Sequence, residues 1–379
     1  MGLTPRSVLF VFGWLVVGGE ETEVRLLARL LDPARYRLQV VACLRREGMP
    51  DQTERQLAEL GIAVDHSPYS LSFEDTIEHL AGRVGSFDLV VACQAVPDIA
   101  PALRLAASRG GQVPALIEHG GLVAEAERAS DLAARYVGVC DSIRAAAARR
   151  MVGREHHALE IPSMVDLDEF DPAQRHDVRR ELGFGIEDVA FGWVGRLDRK
   201  KRVEDFVRAA ALLQTREPRA RFVVIGGADA FMPEYEPELH RLAEDLGLGE
   251  RLQFLGDRAD VPRLMTGLDA MVWLASGEGM PHVIAEAGAA SLPVIATRDN
   301  GTLEQIEDGV TGIFVPHERP TAAVAAMHRL ASDVTLRRRL GAALRCEVEA
   351  RYATTVIVPR WERLFDDVIE EHDREMVTA

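Results

Sequence analysis

The chain has 379 residues, more than one hydrophobic core usually supports, so length alone favours two domains. A composition of 47% apolar and 27% charged residues is that of a globular protein and excludes disordered and fibrous classes. The formal charge of −16, from 44 basic against 60 acidic residues, excludes broad attraction to nucleic acid or anionic lipid, so any anion site must be local.

The first apolar run, Val8 to Val17 behind Arg6, has the outline of a secretory signal. No A-x-A cleavage pattern follows and the run is too short to span a bilayer, so a strand entering a glycine turn explains it better. Short apolar runs then alternate with longer amphipathic segments, the pattern of β-α-β units around a parallel sheet. In the first half the predicted strands are Val8 to Phe12, Leu38 to Cys43, Leu89 to Cys93, Ala115 to Ile117 and Tyr136 to Cys140, with helices between them such as Glu20 to Leu31. The segment Ile161 to Pro172, with Pro162, Pro172 and the acids Asp166, Asp168, Glu169 and Asp171, interrupts the periodicity and reads as a linker. A second series follows, at Val189 to Val194, Phe222 to Ile225, Leu252 to Leu255, Met271 to Leu274 and Val294 to Ala296. After Pro316 the chain reads as helix to its end, and Thr354 to Glu371 carries Trp361, Leu364 and Phe365 at helical spacing, as expected of a helix packing across both domains. The expected division is 1–165, 166–355 and a returning helix at 356–379. Cys43, Cys93, Cys140 and Cys346 are widely spaced beside apolar runs and read as buried thiols in a reducing cytoplasm.

The strongest chemical signal is Ser276-Gly277-Glu278-Gly279-Met280-Pro281-His282-Val283-Ile284-Ala285-Glu286-Ala287-Gly288, followed by Pro293-Val294-Ile295-Ala296. It follows a strand and opens a helix. Ligands of open α/β sheets bind beyond the carboxyl ends of strands, where a helix N-terminus offers free N–H groups to an anion. Glu278 in the turn and Glu286 about two helical turns on can face one polyhydroxyl ligand. Taken singly, Glu278 is an ordinary helix-capping acid and Glu286 a solvated one. A second signal, Gly195-Arg196-Leu197-Asp198-Arg199-Lys200-Lys201-Arg202, falls where the first strand of the second half ends. Most charge runs are solvated loops. Here Arg196 and Lys201 can stabilise charge that grows on a leaving diphosphate and can stand in for a metal. Weaker signals are Gly18-Gly19-Glu20-Glu21 after the first strand and Glu118-His119-Gly120-Gly121 after a later one. The spacing of Gly13, Gly18 and Gly19 does not match G-x-G-x-x-G, and Cys43-Leu44-Arg45 supplies no ribose-binding acid after the second strand, which argues against a nicotinamide enzyme. Asp166-Leu167-Asp168 has the outline of a D-x-D metal motif but lies in the linker, and no other stretch has metal-ligand spacing.

The E-G-M-P-H-V-I-A-E-A-G run with P-V-I-A resembles the signature of the family-four retaining glycosyltransferases of GT-B fold, and G-R-L-x-x-x-K resembles their phosphate-binding stretch. That resemblance implies two Rossmann-like, doubly wound α/β domains facing across a cleft. It implies a nucleotide-diphosphate sugar, UDP- or GDP-linked, as co-substrate, with no further cofactor and no metal. The carry-over assigns Glu278 to the donor sugar, Glu286 to the nucleotide ribose, and Arg196 and Lys201 to the diphosphate. Gly279, Met280, Pro281, His282 and Val283 would lie beside sugar and phosphates, Gly18 and Gly19 would face the phosphates, and Leu255 would end the strand where the base is read. His119 would hold a sugar hydroxyl near the reacting centre. Arg202 stands where the family often has glycine, and Ser163 and Met164 depart from its interdomain I-P-N-G-V-D. The resemblance is dense from Val189 to Pro316 and sparse before it, so it speaks to the donor and leaves the acceptor, a glycan, lipid or small molecule, unnamed. The rival readings are a nucleotide-sugar epimerase, a phosphorylase, and a non-catalytic nucleotide-sugar-binding protein on the same scaffold.

Overall fold

The structure is a computed structural model describing residues 4–378. The chain forms two compact units, one made of the residues up to Ser163 together with those from Thr355 on, the other of Met164–Thr354.

The first unit is built on seven strands: β1 (Arg6–Trp14), β2 (Tyr36–Leu44), β3 (Val64–Asp65), β4 (Leu89–Cys93), β5 (Ala115–Gly120), β6 (Arg135–Gly138) and β7 (Ala158–Glu160). They pair in parallel in the order β3-β2-β1-β4-β5-β6-β7. Helices cover parallel sheets on both faces, which is why the inner strands are continuous apolar runs. Val8 to Phe12 and Leu89 to Cys93 are buried residue after residue. The two sheet-edge strands β3 and β7 were not foreseen, because two or three residues carry no readable period. The strand expected at Tyr136 to Cys140 ends at Gly138 instead, and Cys140 becomes the N-cap of the helix Asp141–Arg150.

The second unit holds β8 (Val189–Val194), β9 (Ala220–Ile225), β10 (Leu252–Phe254), β11 (Ala270–Trp273), β12 (Val294–Thr297) and β13 (Gly312–Val315). These are parallel, in the order β10-β9-β8-β11-β12-β13. The core gathers Trp193, Trp273, Phe191, Phe206 and Phe222, all fully buried. β13 escaped sequence reading, since four residues carry little readable period. In the linker the D-x-D pair is taken up by a local turn, the Asp166 carboxylate accepting the Asp168 N–H at 3.0 Å.

Beyond Pro316 the chain forms three helices, Pro320–Ser332, Val334–Arg351 and Thr354–Thr378. The last carries Pro359 inside it and turns Ile357, Trp361, Leu364, Phe365 and Val368 inward onto the first unit. There Phe365 meets the rings of Phe10 and Tyr36 edge-on, and Asp366 pairs with Arg35 at 2.6 Å. Cys43, Cys93 and Cys140 are buried as expected, but Cys346 is exposed. It lies on Val334–Arg351 away from the face formed by Leu340, Leu344 and Val348, so its apolar neighbours in sequence are not its neighbours in space. Among the described residues no helix is long and apolar enough to cross a membrane.

Candidate functional site

In both sheets the chain order reverses direction beside one strand, β1 in the first and β8 in the second, and the crevice between that strand and its later neighbour is where open α/β sheets bind ligands. In the second unit the crevice lies between β8 and β11, and the two strong motifs are the loops that leave these two strands. The loops touch: the Ser276 N–H donates to the Lys200 carbonyl at 2.8 Å. The Lys201 ammonium stands 5.3 Å from the ring centroid of Trp273, itself stacked on Trp193 at 5.7 Å. Residues more than seventy positions apart are thus brought to one sheet edge.

Each part of the site has its own support. β8 runs into Gly195, at φ 148°, and Arg196 turns back to pair with the buried Asp229 at 2.9 Å. Gly226 must be glycine because a Cβ there would come within 1.9 Å of the Gly195 carbonyl oxygen. The basic run forms a single turn, Arg199–Lys201, capped by the Asp198 carboxylate on the Lys200 N–H at 2.9 Å. Arg202, where the family often has glycine, is left-handed at φ 51°, and its guanidinium holds Asp205 at 2.7 Å. The conformation is the one a glycine would favour, and the ion pair anchors an arginine in it.

The glutamate turn is clamped from β12. The Asp299 carboxylate accepts the N–H groups of Gly277 and of Glu278, the latter at 3.0 Å, and the Gly301 N–H donates to the Gly279 carbonyl. A Cβ on Gly301 would lie 2.2 Å from that oxygen. The helix His282–Ala289 begins behind Pro281 with no side chain capping it, and the Ile284 N–H turns back to the Pro281 carbonyl at 3.2 Å. Glu286 is the fifth residue of that helix, one turn in; the expectation of two turns counted the 278–281 turn as helix. His282 lies 3.7 Å from Glu286 on the same face. Glu278, Met280, His282 and Glu286 are partly exposed, while Gly279, Pro281 and Val283 are buried beneath them. Leu255 continues β10, its N–H bonded to the Val224 carbonyl at 2.9 Å, at the same edge of the sheet.

Asp229, Asp299 and Trp273 escaped sequence reading. Asp299 left one trace, a capping box with Thr302 that marks a helix start but not the turn it holds. A cavity of about 1600 Å³ also opens in this unit, at the opposite, amino-terminal edge of the strands. Two of its arginines are committed to structure: Arg175 and Arg179 bind Asp269 at 2.7 and 2.9 Å and cap carbonyls nearby.

In the first unit Gly18 caps the helix Gly19–Leu30, and a Cβ on Gly18 would lie 2.5 Å from a Glu21 carboxylate oxygen. The other Glu21 oxygen accepts the Val16 N–H at 3.3 Å. His119 ends β5, in register with Cys93 of β4, and its side chain is only 2% exposed. It meets Trp361 edge-on at 5.4 Å, and burial pulls its pKa down to about 4.

Residues 174–345 match the model of the family described as glycosyl transferases group 1. Over 188 residues the chain is 32% identical to the D-inositol 3-phosphate glycosyltransferase of Actinosynnema mirum, covering 48% of this chain and 45% of that one. The enzyme of the same name from Mycobacterium marinum is 31% identical over 214 residues, 55% of this chain and 43% of that one. The chain thus spans about half the length of the curated relatives it matches. Among solved structures, Anabaena HepE in complex with UDP-glucose superposes with a TM-score of 0.83 at 21% identity, covering 95% of this chain and 99% of that one. Sucrose-phosphate synthase from Thermosynechococcus elongatus gives 0.76 at 19% identity, over 97% and 100%. At such identities the likeness establishes the fold. Residues 174–345 thus form a domain that matches the group 1 glycosyltransferases, and the two parallel sheets have the fold of the GT-B glycosyltransferases.

Proposed function

We propose that the chain is a retaining glycosyltransferase that moves a sugar from a nucleotide-diphosphate donor to an acceptor hydroxyl. The observation that carries this is the meeting of the β8 and β11 loops at the switch point, which puts two fixed cations and two carboxylates at one sheet edge. Arg196, oriented by Asp229, and Lys201, seated over Trp273, stabilise the negative charge that grows on the departing diphosphate, in place of a metal. The N-terminus of His282–Ala289 adds the positive end of its helix dipole at the same edge. Glu286 accepts from the ribose hydroxyls, and Glu278, held by its clamped backbone, accepts from the sugar.

Retention follows when the acceptor attacks the face the diphosphate leaves. The bond from the anomeric carbon to phosphate oxygen breaks, the bond to the acceptor oxygen forms, and the acceptor proton passes to a donor phosphate oxygen. No protein base is then required. UDP-glucose bound to HepE and the sugar transfer named in the curated relatives support trying UDP-sugars first.

The test is to incubate the chain with UDP- and GDP-sugars and a panel of acceptor hydroxyls, and to read product mass and anomeric configuration. A glycoside with the donor's configuration is expected. An altered free nucleotide sugar in the absence of acceptor would instead identify an epimerase, and tight UDP or GDP binding without transfer or hydrolysis a non-catalytic binder.

A further inference from the structure

The corresponding crevice of the first unit, between β1 and β4, contains a different chemistry. Glu20, at the start of the helix Gly19–Leu30, Cys93, at the end of β4, and His119, at the end of β5, each direct one atom of ligand type toward the others, and these atoms lie within 4.8 Å of one another. All three residues are buried, at 8%, 1% and 4% exposure. Cys93 and His119 are cross-strand partners in register, so adjacent parallel strands present them on one face. The sheet sets their spacing, and the helix start brings Glu20 over them.

Buried polar groups are almost always bonded, and an orphan requires a physical reason. Neighbouring acids here obey the rule: Glu21 accepts the Val16 N–H, and Glu125 accepts the N–H groups of Gly121 and Leu122 at 2.9 and 3.1 Å. Glu20 has the Gln94 amide beside it, which favours its carboxylate, but neither of its buried oxygens is held in hydrogen-bonding alignment, and the Gln94 amide oxygen is itself buried and unpartnered. Gln94 follows Cys93 directly, in a left-handed conformation at φ 59°.

We propose that the first unit holds one divalent transition-metal ion of the zinc type through Glu20, Cys93 and His119. The donor set, one carboxylate oxygen, one sulfur and one imidazole nitrogen, is the borderline mixture zinc selects. A thiolate and a carboxylate together neutralise the ion, so the filled site is a far smaller charge burden on the interior than a bare buried carboxylate. The two faces of His119 divide the work. Its Nδ1 faces Glu20 at 4.0 Å, on the metal side, while its Nε2 faces Glu23 at 3.3 Å, short of hydrogen-bonding alignment. The other Glu23 oxygen accepts the Trp361 indole N–H at 2.8 Å. With the ion on Nδ1, the Nε2–H points at Glu23 and forms the carboxylate–histidine–metal relay that fixes ring and tautomer in metal sites. Bonds of about 2.0–2.3 Å hold tetrahedral ligands about 3.4–3.8 Å apart, so the cluster closes by about 1 Å on binding. His119 then serves the ion in place of the sugar hydroxyl.

The proposal does not depend on the transferase reading and is tested without it. The chelator-treated full chain is titrated with Co2+ alone. One equivalent is expected to produce a thiolate-to-cobalt charge-transfer band with tetrahedral visible bands, and Zn2+ is expected to displace it and raise the unfolding temperature. Cys93→Ser, folded by circular dichroism, should lose the charge-transfer band, Cys43→Ser should retain it, and Glu23→Gln should weaken Zn2+ about 10–100-fold. A wild-type chain that gives no band overturns the proposal without recourse to any variant. So does binding that survives Cys93→Ser, which places the ion on other groups, and so does an unchanged Zn2+ affinity in both Cys93→Ser and His119→Gln.

Discussion

The two switch-point crevices are built on the same plan and filled in opposite ways. Between β8 and β11, charged groups are partly exposed and each is anchored from behind: Arg196 by Asp229, Arg202 by Asp205, the Glu278 backbone by Asp299. Between β1 and β4, Glu20, Glu23 and His119 are shut away from water, and burial pushes both acids up, Glu23 to about 8, while pulling the imidazole down. A fixed charge that keeps access to solvent stays charged and can act on a passing diphosphate, whereas a buried one must be neutralised by a proton or an ion. The same topology therefore offers an electrostatic site in one unit and a coordination site in the other.

Breaking the open crevice should have the largest effect. Lys201→Ala is expected to lower sugar-transfer turnover about 10²–10³-fold with the fold intact, the loss typical of removing one preorganised charge-stabilising group, and Glu286→Ala, which removes the acceptor for the ribose hydroxyls, is expected to lower kcat/KM through weaker donor binding with the fold intact. Steady-state kinetics with a defined donor, beside a circular dichroism spectrum, checks this; wild-type kinetics in both variants would remove them from the site. In the buried crevice the effect should fall on stability instead. Trp361→Phe takes the indole N–H from Glu23 and should cost about 1–3 kcal/mol, read as a lower urea midpoint of the first unit.

A smaller effect separates positioning from stability within the open crevice. Asp299→Ala frees the Gly277 and Glu278 N–H groups and should raise KM for the donor more than it lowers the urea midpoint, with loss of about 1–2 kcal/mol of stability. The smallest effects should be alike in both units, as a control away from the crevices. Burial pushes the Asp65 carboxyl up, but hydrogen bonds from Ser67 and His79 and the Arg83 charge outweigh it and hold the pKa at about 2. Hydrogen bonds from Arg258 and Arg263 hold Asp260 at about 2 as well. A carboxyl whose pKa is lower folded than unfolded stabilises the native state above its unfolded value and loses that contribution as pH falls. Asp65→Asn and Asp260→Asn should therefore each cost about 1 kcal/mol near neutrality, screening included, a cost that shrinks as pH falls through the folded pKa of about 2. Urea melts across that range check it.

The edge proposed for the donor could be marked in the sequence because its residues are local. Strand, glycine turn and helix start follow one another within Met271 to Ala289, and the basic turn follows β8 directly, so residue types and spacing mark the place. The supports were not legible. Asp229 and Asp299 lie more than twenty residues from the groups they hold, and nothing near them in the chain says which side chain they will meet. Glu20, Cys93 and His119 are more scattered still. Each alone reads as a helix acid, a core thiol and a lone histidine, and the parallel register of β4 with β5 is what joins two of them.

The sequence by itself determined the alternation of strands and helices, the point at which a second sheet starts, and the turns where glycine and charge gather, because these follow from periodicity and backbone sterics over a few residues. Tertiary structure alone decided which carboxylates find a donor, which cations find a counter-ion, and which titratable groups lose their water. Those outcomes depend on desolvation and on neighbours brought in from remote parts of the chain, so they exist only once the sheets are assembled.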